Sequence, residues 1–439
     1  MKIIVRLLGA FCVILCMGLF SSCEKSNPPG PVNPFSNGGS ERNMIVVMSD
    51  IHLGADTSYT ECKKNLAPLV KLLKQIQAST NVKELVIGGD LVDEWFVPAP
   101  IDTYGGKDQA DFVQRLATSN KVVIDAFNSI IQEGKILVTY VPGNHDMAIT
   151  AASIESILPG ISQARDNVPG LGTYSPAGCP VVAIEHGHRY DFFCAPDPFS
   201  NQDIAPGTIL PPGYFYARIG SLFAIQKNPK AADTLPVVTP NPSWNESQNL
   251  LYKYWTTWKG SVDMFPIPYR FDDKFIVTNI NGFTGNYSVD DVVPFQLSPG
   301  GFIDVALYHG ILEKWDARQT HNNVPVHIKT GLAIDSVVSA TFAYHQASVQ
   351  YFMNTASDKR IVIFGHTHQP RMVAGTGSKG EKCIYANSGT WIDYNPDQTT
   401  MNFVVITPQN TVASSQTFVK LYNFENEVVT EMDENSIRY

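Results

Sequence analysis

Residues 44–52 read MIVVMSDIH: five apolar residues, a serine, then Asp50 and His52 two positions apart. The run is apolar throughout rather than alternating, which marks a strand covered on both faces, as in a sheet held between two layers. The acid and the imidazole fall just past its C-terminal end. In open α/β sheets that is where neighbouring loops converge on one crevice and ligands bind.

Working outward, the same rhythm recurs four times. ELVIG (84–88) runs into Gly89-Asp90-Leu91-Val92-Asp93, and KILVTYV (135–141) leads to Gly143-Asn144-His145-Asp146. PVVAIE (180–185) ends at His186-Gly187-His188, and RIVIF (360–364) at Gly365-His366-Thr367-His368. Helical patterns intervene at 63–78 and 108–132, and strand-like runs at 382–386, 402–407 and 417–423 are expected to complete a second sheet. The fold class is α/β with two sheets. Residues 43–193 and 354–425 form its core, and 426–439 reads as a C-terminal tail.

Between 194 and 353 the rhythm breaks into a Pro-rich, aromatic segment that includes Tyr214, Phe215, Tyr216, Tyr252, Tyr254, Trp255 and Trp258. Helices are expected near 213–225, 249–259 and 333–354. It is read as an insertion that caps the crevice, with its aromatics also able to form a small core of their own.

The chain has 439 residues, 44% of them hydrophobic and 11% aromatic, enough for a packed core. Lys plus Arg number 32 against 41 for Asp plus Glu, a net charge of −9. With no basic run to form a groove, a nucleic-acid polymer is not an expected partner. Residues 1–22 carry Lys2 and Arg6, an apolar stretch from Leu7 to Phe20 and small polar residues before Cys23, the layout of an export signal. Leu19-Phe20-Ser21-Ser22-Cys23 resembles the bacterial lipoprotein signal, which implies a lipid on Cys23, a membrane anchor, and a location facing the periplasm or exterior. An uncleaved membrane-spanning anchor is the alternative. Residues 23–42, rich in Pro, Gly, Ser and Asn, read as a flexible linker. No CxxC pair occurs; Cys179 and Cys194 could pair after export, although buried free thiols are the plainer reading.

The five polar clusters carry the chemistry. Residues i and i+2 of an extended segment point the same way, so Asp50 and His52 can approach one ion together, whereas His366 and His368 at a turn can serve two. Asp90 has two oxygens and can bridge a pair of cations. Asp50, His52, Asp90, Asn144, His186, His366 and His368 therefore suffice for two divalent ions, and their mixed nitrogen and oxygen donors suit Mn, Fe or Zn better than Ca or Mg. Such a pair activates water to hydroxide and aligns its attack on a phosphoryl centre.

In order, the clusters resemble the D-x-H, G-D-x-x-D, G-N-H-D/E, H and G-H-x-H pattern of the calcineurin-like metallophosphoesterase family. The resemblance implies a four-layer α/β/β/α sandwich. It implies Asp50, His52, Asp90 and His368 on a first metal, and Asp90, Asn144, His186 and His366 on a second. It also gives His145 the task of stabilising the transition state or protonating the leaving oxygen, with Asp146 orienting that imidazole. Asp93 stands where purple acid phosphatases have their iron-binding Tyr. GDLVDEW (89–95), HTHQP (366–370) and NSGTWI (387–392) further resemble the UDP-2,3-diacylglucosamine hydrolases, which cleave a pyrophosphate bond. That branch usually has Arg in place of His145, acts on a substrate made at the cytoplasmic face and lacks so long an insertion, so its substrate is not carried over.

His188, Arg189, Arg371 and Trp95 are candidate substrate contacts. His309, His321, His327 and His345 show no ligand spacing. The expected activity is an exported dinuclear phosphohydrolase acting on a phosphomonoester, phosphodiester or pyrophosphate of a small or lipid-like molecule. The competing expectation is a surface protein whose aromatic insertion captures carbohydrate or lipid and whose metal is structural.

Overall fold

The run at 44–48 forms β1 (Met44–Met48), buried along its whole length, and its neighbours follow from the same pattern. A computed structural model describes residues 33–227, 229–336, 339–396, 398–409 and 415–439; the leader and Cys23 lie outside the described residues. The first half of the core supplies β2 (Val82–Gly88), β3 (Leu137–Val141), β4 (Ser162–Gln163), β5 (Thr173–Tyr174) and β6 (Val182–Glu185). Two short ribbons lie in the insertion, β7 (Ile276–Ile280) with β8 (Phe283–Tyr287) and β9 (Phe295–Gln296) with β10 (Ile303–Asp304). The second half adds β11 (Ile361–Phe364), β12 (Arg371–Thr376), β13 (Lys382–Asn387), β14 (Asn402–Thr407), β15 (Thr417–Glu425) and β16 (Val428–Ile437).

One mixed sheet runs β16-β15-β14-β1-β2-β3-β4 and the other β12-β13-β11-β6-β5. Strands β1 to β4 are mutually parallel, as are β6, β11 and β13, so their C-terminal ends and the polar clusters beyond them lie on one side of the molecule. Side-chain alternation divides β1 between two cores. Ile45 and Val47 pack between the sheets with Val86, Val182, Ile184, Ile363 and Val404. Met44, Val46 and Met48 join the cluster that contains Leu69, Leu72 and Ile76 of α1 (Leu66–Ala78) and Phe127 of α3 (Lys121–Glu133). The far face of the second sheet is covered by the insertion and its flanks, where Tyr344 meets Tyr385 at 5.8 Å and Tyr190 meets Phe364 at 5.9 Å between ring centroids. This is the mixed α/β sandwich of two sheets that the sequence implied.

Several details differ. The helix expected over 108–132 is two, α2 (Gln109–Ser119) and α3, parted at Asn120. The Asn120 amide donates to the carbonyls of Gly54 (2.8 Å) and Leu116 (2.9 Å), so the break holds the loop that follows His52. Of the three strands assigned to a second sheet, only 382–387 belongs there; β14 pairs antiparallel with β1, and β15 lies beyond it. The segment read as a tail carries β16, which turns back on β15 through Asn426 and Glu427 at φ 52° and 66°, a two-residue hairpin of the twisted type. The helix expected over 333–354 is broken into Thr330–Asp335, Phe342–Ala347 and a π turn at Ser348–Phe352.

The insertion is fastened beside the site by Arg218, on α5 (Gly213–Ile225), which is wholly buried and, among the described residues, pairs with no carboxylate. Its guanidinium instead donates to the carbonyls of Val97 (2.6 Å), Ala99 (3.1 Å), Val277 (2.9 Å) and Ile101, and to the Tyr214 hydroxyl (2.6 Å). One side chain thereby joins α5 and β7 to the loop that follows β2 and Asp93. No disulfide joins Cys179 to Cys194: Cys179 lies 3.5 Å from the Tyr439 hydroxyl, and Cys194 stands in the crevice wall. Among the described residues no helix is long and apolar enough to cross a membrane.

Candidate metal centre

The turns past β1, β2 and β11 hold their polar residues in an uncommon backbone geometry. Asp50, His52, Asp90, His366 and His368 all have positive φ, between 53° and 68°. For residues with a Cβ this region costs on the order of 1 kcal/mol each. Hydrogen bonds between the turns hold them there: Asp50 N–H to Gly89 O (3.1 Å), His52 N–H to Asp90 O (2.9 Å) and His366 N–H to Asp50 Oδ1 (3.1 Å). Glycine is required where turns touch. A Cβ on Gly143 would stand 2.1 Å from Asp90 Oδ1, and one on Gly365 2.5 Å from Asp50 Oδ2.

All seven expected ligands come together. Asp50 Oδ1 lies 3.2 Å from His368 Nε2 and 3.9 Å from His52 Nε2, and the two imidazole nitrogens face each other at 3.1 Å. Asp90 Oδ2 lies 3.6 Å from His52 Nε2 and 3.1 Å from His186 Nε2, so one oxygen stands between two donor groups. Asn144 Oδ1 lies 3.0 Å from His186 Nε2 and 2.8 Å from His366 Nδ1. The His52 and His186 side chains are sealed from solvent, whereas His366 (14% exposed) and His368 (22%) face outward and mark the open side.

Outer partners fix which nitrogen of each ring points inward. His52 Nδ1 faces Asp93 Oδ2 at 3.0 Å and Glu61 Oε2 at 3.5 Å. His186 Nδ1–H donates to Gly88 O at 2.9 Å, and His366 Nε2–H to Asp191 Oδ2 at 3.2 Å. The inward-facing nitrogens of these three rings are thus lone-pair donors, which is how histidines are set to coordinate a cation. Lone pairs facing each other at 3.1 Å in a buried space need a proton or a metal ion between them. The donor set therefore fits two divalent cations, one near Asp50, His52, Asp90 and His368 and one near Asp90, Asn144, His186 and His366.

Proton affinities show the same tension. Burial alone would raise Asp50, yet His186 and His368 hold its carboxyl well below the usual range. Burial would lower His186, but Asp90 and Asp50 push it up to about 9. His52 is likewise raised well above its ordinary value, against burial, by hydrogen bonds to Asp50 and Asp93.

His145 stands over this cluster. Its backbone N–H binds Asp90 Oδ1 (2.8 Å), its Nδ1 faces Asp93 Oδ1 (2.8 Å), and its ring stacks on Trp95 with centroids 5.0 Å apart. Against burial, Asp93 and Asp90 raise its pKa. Asp93, not Asp146, is therefore the residue that orients the imidazole. The Asp146 carboxylate accepts the backbone N–H groups of Leu91 (2.9 Å), Val92 (3.2 Å) and Gly143 (2.7 Å), stapling two ligand loops together. Burial and the Asp90 charge push Asp146 up to about 6.

Three expected substrate contacts are engaged elsewhere. Arg189 is buried, paired with Glu185 Oε2 (2.6 Å) and Asp166 Oδ2 (2.6 Å) and bonded to Thr173 Oγ1 (2.8 Å). His188 is buried and donates to Gly170 O at 3.0 Å; burial, with His186 and His366 nearby, holds its pKa well below the ordinary value. Arg371 donates to Ala340 O at 2.7 Å, on the insertion. His327 pairs with Asp316 far along the insertion. Sequence reasoning missed Asp191 and Glu61, which lie outside the recurring clusters, and gave Asp93 no part in the site although the G-D-x-x-D spacing contains it.

Beside the centre opens a crevice lined by Asp90, Asn144, His145, His366 and His368 at its base and by insertion residues including Tyr216, Phe265 and Phe342 along its walls. The insertion thus lines the space in front of the ligands.

A family model described as calcineurin-like phosphoesterase matches residues 44–370. No curated protein matches the chain. Among solved structures, a Vps29 single mutant from Entamoeba histolytica aligns over 90% of this chain and 99% of its own, at 8% identity and a TM-score of 0.28. A Pseudomonas putida nuclease, MPE, aligns over 33% of this chain and 54% of its own, at 16% identity and a TM-score of 0.19. Scores this low bear on neither the site nor its chemistry.

Proposed function

Since the chain belongs to the calcineurin-like phosphoesterase family, a group of metal-dependent hydrolases, we propose that it hydrolyses a phosphoric ester at the centre between Asp50 and His368. The observation that carries this reading is the His145 imidazole, held by Asp93 at 2.8 Å and facing the same crevice as Asp90, Asn144, His366 and His368. Two divalent cations of the Mn, Fe or Zn type, held by the two donor groups described above, would supply water activation and neutralisation of phosphoryl charge.

The chain's own residues do the rest. In the hydrolysis the oxygen of water joins phosphorus, the bond from phosphorus to the ester oxygen breaks, and that oxygen departs and takes up a proton. With Nδ1 bound to Asp93, His145 has Nε2 to give that proton. Asp93 keeps the ring in the right tautomer and favours its charged form, while Trp95 fixes the plane of the ring. Asp191 and Glu61 hold the outer edges of His366 and His52. A complete donor set of this kind speaks against a binding protein with structural metal only.

Asp90→Asn and His186→Ala are each expected to lose bound metal together with turnover of bis(4-nitrophenyl) phosphate; wild-type turnover in either variant would overturn the assignment. We propose in addition that the chain is exported and anchored by a lipid on Cys23, a reading supported by the order of charged, apolar and small residues over 1–23. Labelled palmitate should enter the wild-type chain and not Cys23→Ser; an unlabelled wild-type chain would refute the anchor.

A further inference from the structure

The walls of the crevice differ in kind from its base. Trp95, Phe96, Phe193, Tyr216, Phe265 and Phe342 present aromatic surface to it, and among the described residues no Lys or Arg lines it. Glu61 and Asp191 add carboxylates instead. Arg371 does not line the crevice; its Nη1 donates to the carbonyl of Ala340, which does, at 2.7 Å.

This arrangement sorts substrates by charge. One phosphoryl group can be met at the base, by the cations the seven ligands would hold and by the imidazole of His145, which lines the crevice with Nδ1 on Asp93. A second phosphoryl group would meet aromatic carbon, two carboxylates and neutral side chains such as Gln346, Gln369 and Ser339, with no cation to balance its charge. Burying an unpaired anion in such surroundings is strongly unfavourable, and proteins that bind several phosphates supply cations or clustered backbone N–H groups to each. An aliphatic chain on the same walls gains about fourfold in binding for every methylene removed from water.

We propose that the substrate carries one phosphoryl group joined to a sizeable apolar moiety, a lipid-like phosphoester, and that nucleoside diphosphates, sugar nucleotides and other pyrophosphates are excluded. The inference rests on the ester hydrolysis proposed above and specifies what lies beside the phosphorus.

The test uses the metal-loaded full chain and a series of 4-nitrophenyl alkyl phosphodiesters, methyl, butyl and hexyl, which share one charge and one leaving group. From methyl to butyl, three methylenes longer, kcat/KM should rise on the order of 60-fold. UDP-glucose should be at least about 100-fold poorer than the hexyl ester, because its second phosphoryl group finds no cation. Ser339 lines the crevice and is exposed, so Ser339→Lys can place a cation there. That variant should improve UDP-glucose relative to the hexyl ester by about tenfold, the worth of one partly screened ion pair at such a site.

A flat series with the methyl ester still turned over would overturn the substrate class and leave the hydrolase reading standing. So would UDP-glucose turnover equal to that of the hexyl ester, or an unmoved ratio in Ser339→Lys. Absence of turnover on every ester would overturn both readings.

Discussion

Replacing Asp93 with Asn removes one charge and no volume, and the structure says what must follow. Oδ1 of Asp93 accepts the backbone N–H groups of Trp95 (2.9 Å) and Phe96 (2.8 Å) as well as His145 Nδ1 (2.8 Å), while Oδ2 accepts His52 Nδ1 (3.0 Å). An amide keeps only one acceptor. Two buried backbone donors hold its oxygen on the Oδ1 side, so its NH₂ meets His52 Nδ1–H, donor against donor. His52 can relieve the conflict only by moving its proton to Nε2, the nitrogen that faces Asp50, Asp90 and His368. That removes a ligand lone pair, and losing an outer partner of this kind typically lowers metal affinity about 10- to 100-fold. His145 meanwhile loses the carboxylate that favours its protonated form. Turnover of an alkyl ester should fall about 10²- to 10⁴-fold, the usual range for a disabled general acid. The basic limb of the kcat profile should move to lower pH, because a general acid must be protonated to act. Metal content by mass spectrometry, metal affinity by calorimetry and the pH profile read these effects separately. If Asp93→Asn binds metal with wild-type affinity and turns over within threefold of wild type, the coupling of His52 and His145 through one carboxylate is wrong.

His145→Ala should lose most activity on esters of aliphatic alcohols and little on 4-nitrophenyl esters, whose leaving group departs as a stable anion; an equal loss on both would show that His145 does not protonate the leaving oxygen. For chelated protein, the sign of the pH dependence follows from the shifts. His186, raised from 6.5 to about 9, contributes stability that is fully present below pH 6.5 and lost as pH climbs through about 9. Asp50 and Asp93, both lowered from 3.8, contribute stability present above pH 3.8 and lost as pH falls through their folded values. The metal-free protein should therefore melt highest between about pH 4 and 6.5, and a maximum above pH 8 in a Tm series would refute the electrostatic account.

What the sequence made legible was local. Apolar runs such as MIVVM and RIVIF announce buried strands because burial on both faces leaves no room for alternation, and a ligand cluster after each run follows from where parallel strands end. Pairing between distant segments was not legible. Nothing in NFVVIT (402–407) records that Val404 will lie beside Val47 rather than in the second sheet, since either core accepts the same side chains. The break at Asn120 was hidden because an Asn inside an amphipathic pattern shows its cost only when Gly54 O is known to need a donor. Adjacency misled at Asp146: in a tight turn, consecutive side chains diverge, so the neighbour of His145 in sequence serves the backbone while Asp93, fifty-two residues away, serves its ring. Arg189 and His188 looked like substrate contacts because they follow a ligand, but a short 3₁₀ turn at 188–190 carries them inward to Glu185 and Gly170.

The left-handed turns at Asp50, His52, Asp90, His366 and His368 bear on how this protein responds to selection for heat resistance. Glycine adopts that conformation without steric cost, and His366 and His368, which face outward, bury the least side chain of the five. A library ranked by thermal survival in the presence of chelator should therefore enrich glycine at His366 and His368 and deliver sturdier chains that do no chemistry. Ranking in the presence of metal ions should reverse the preference, so the choice of buffer alone decides whether such an experiment erases the centre or preserves it.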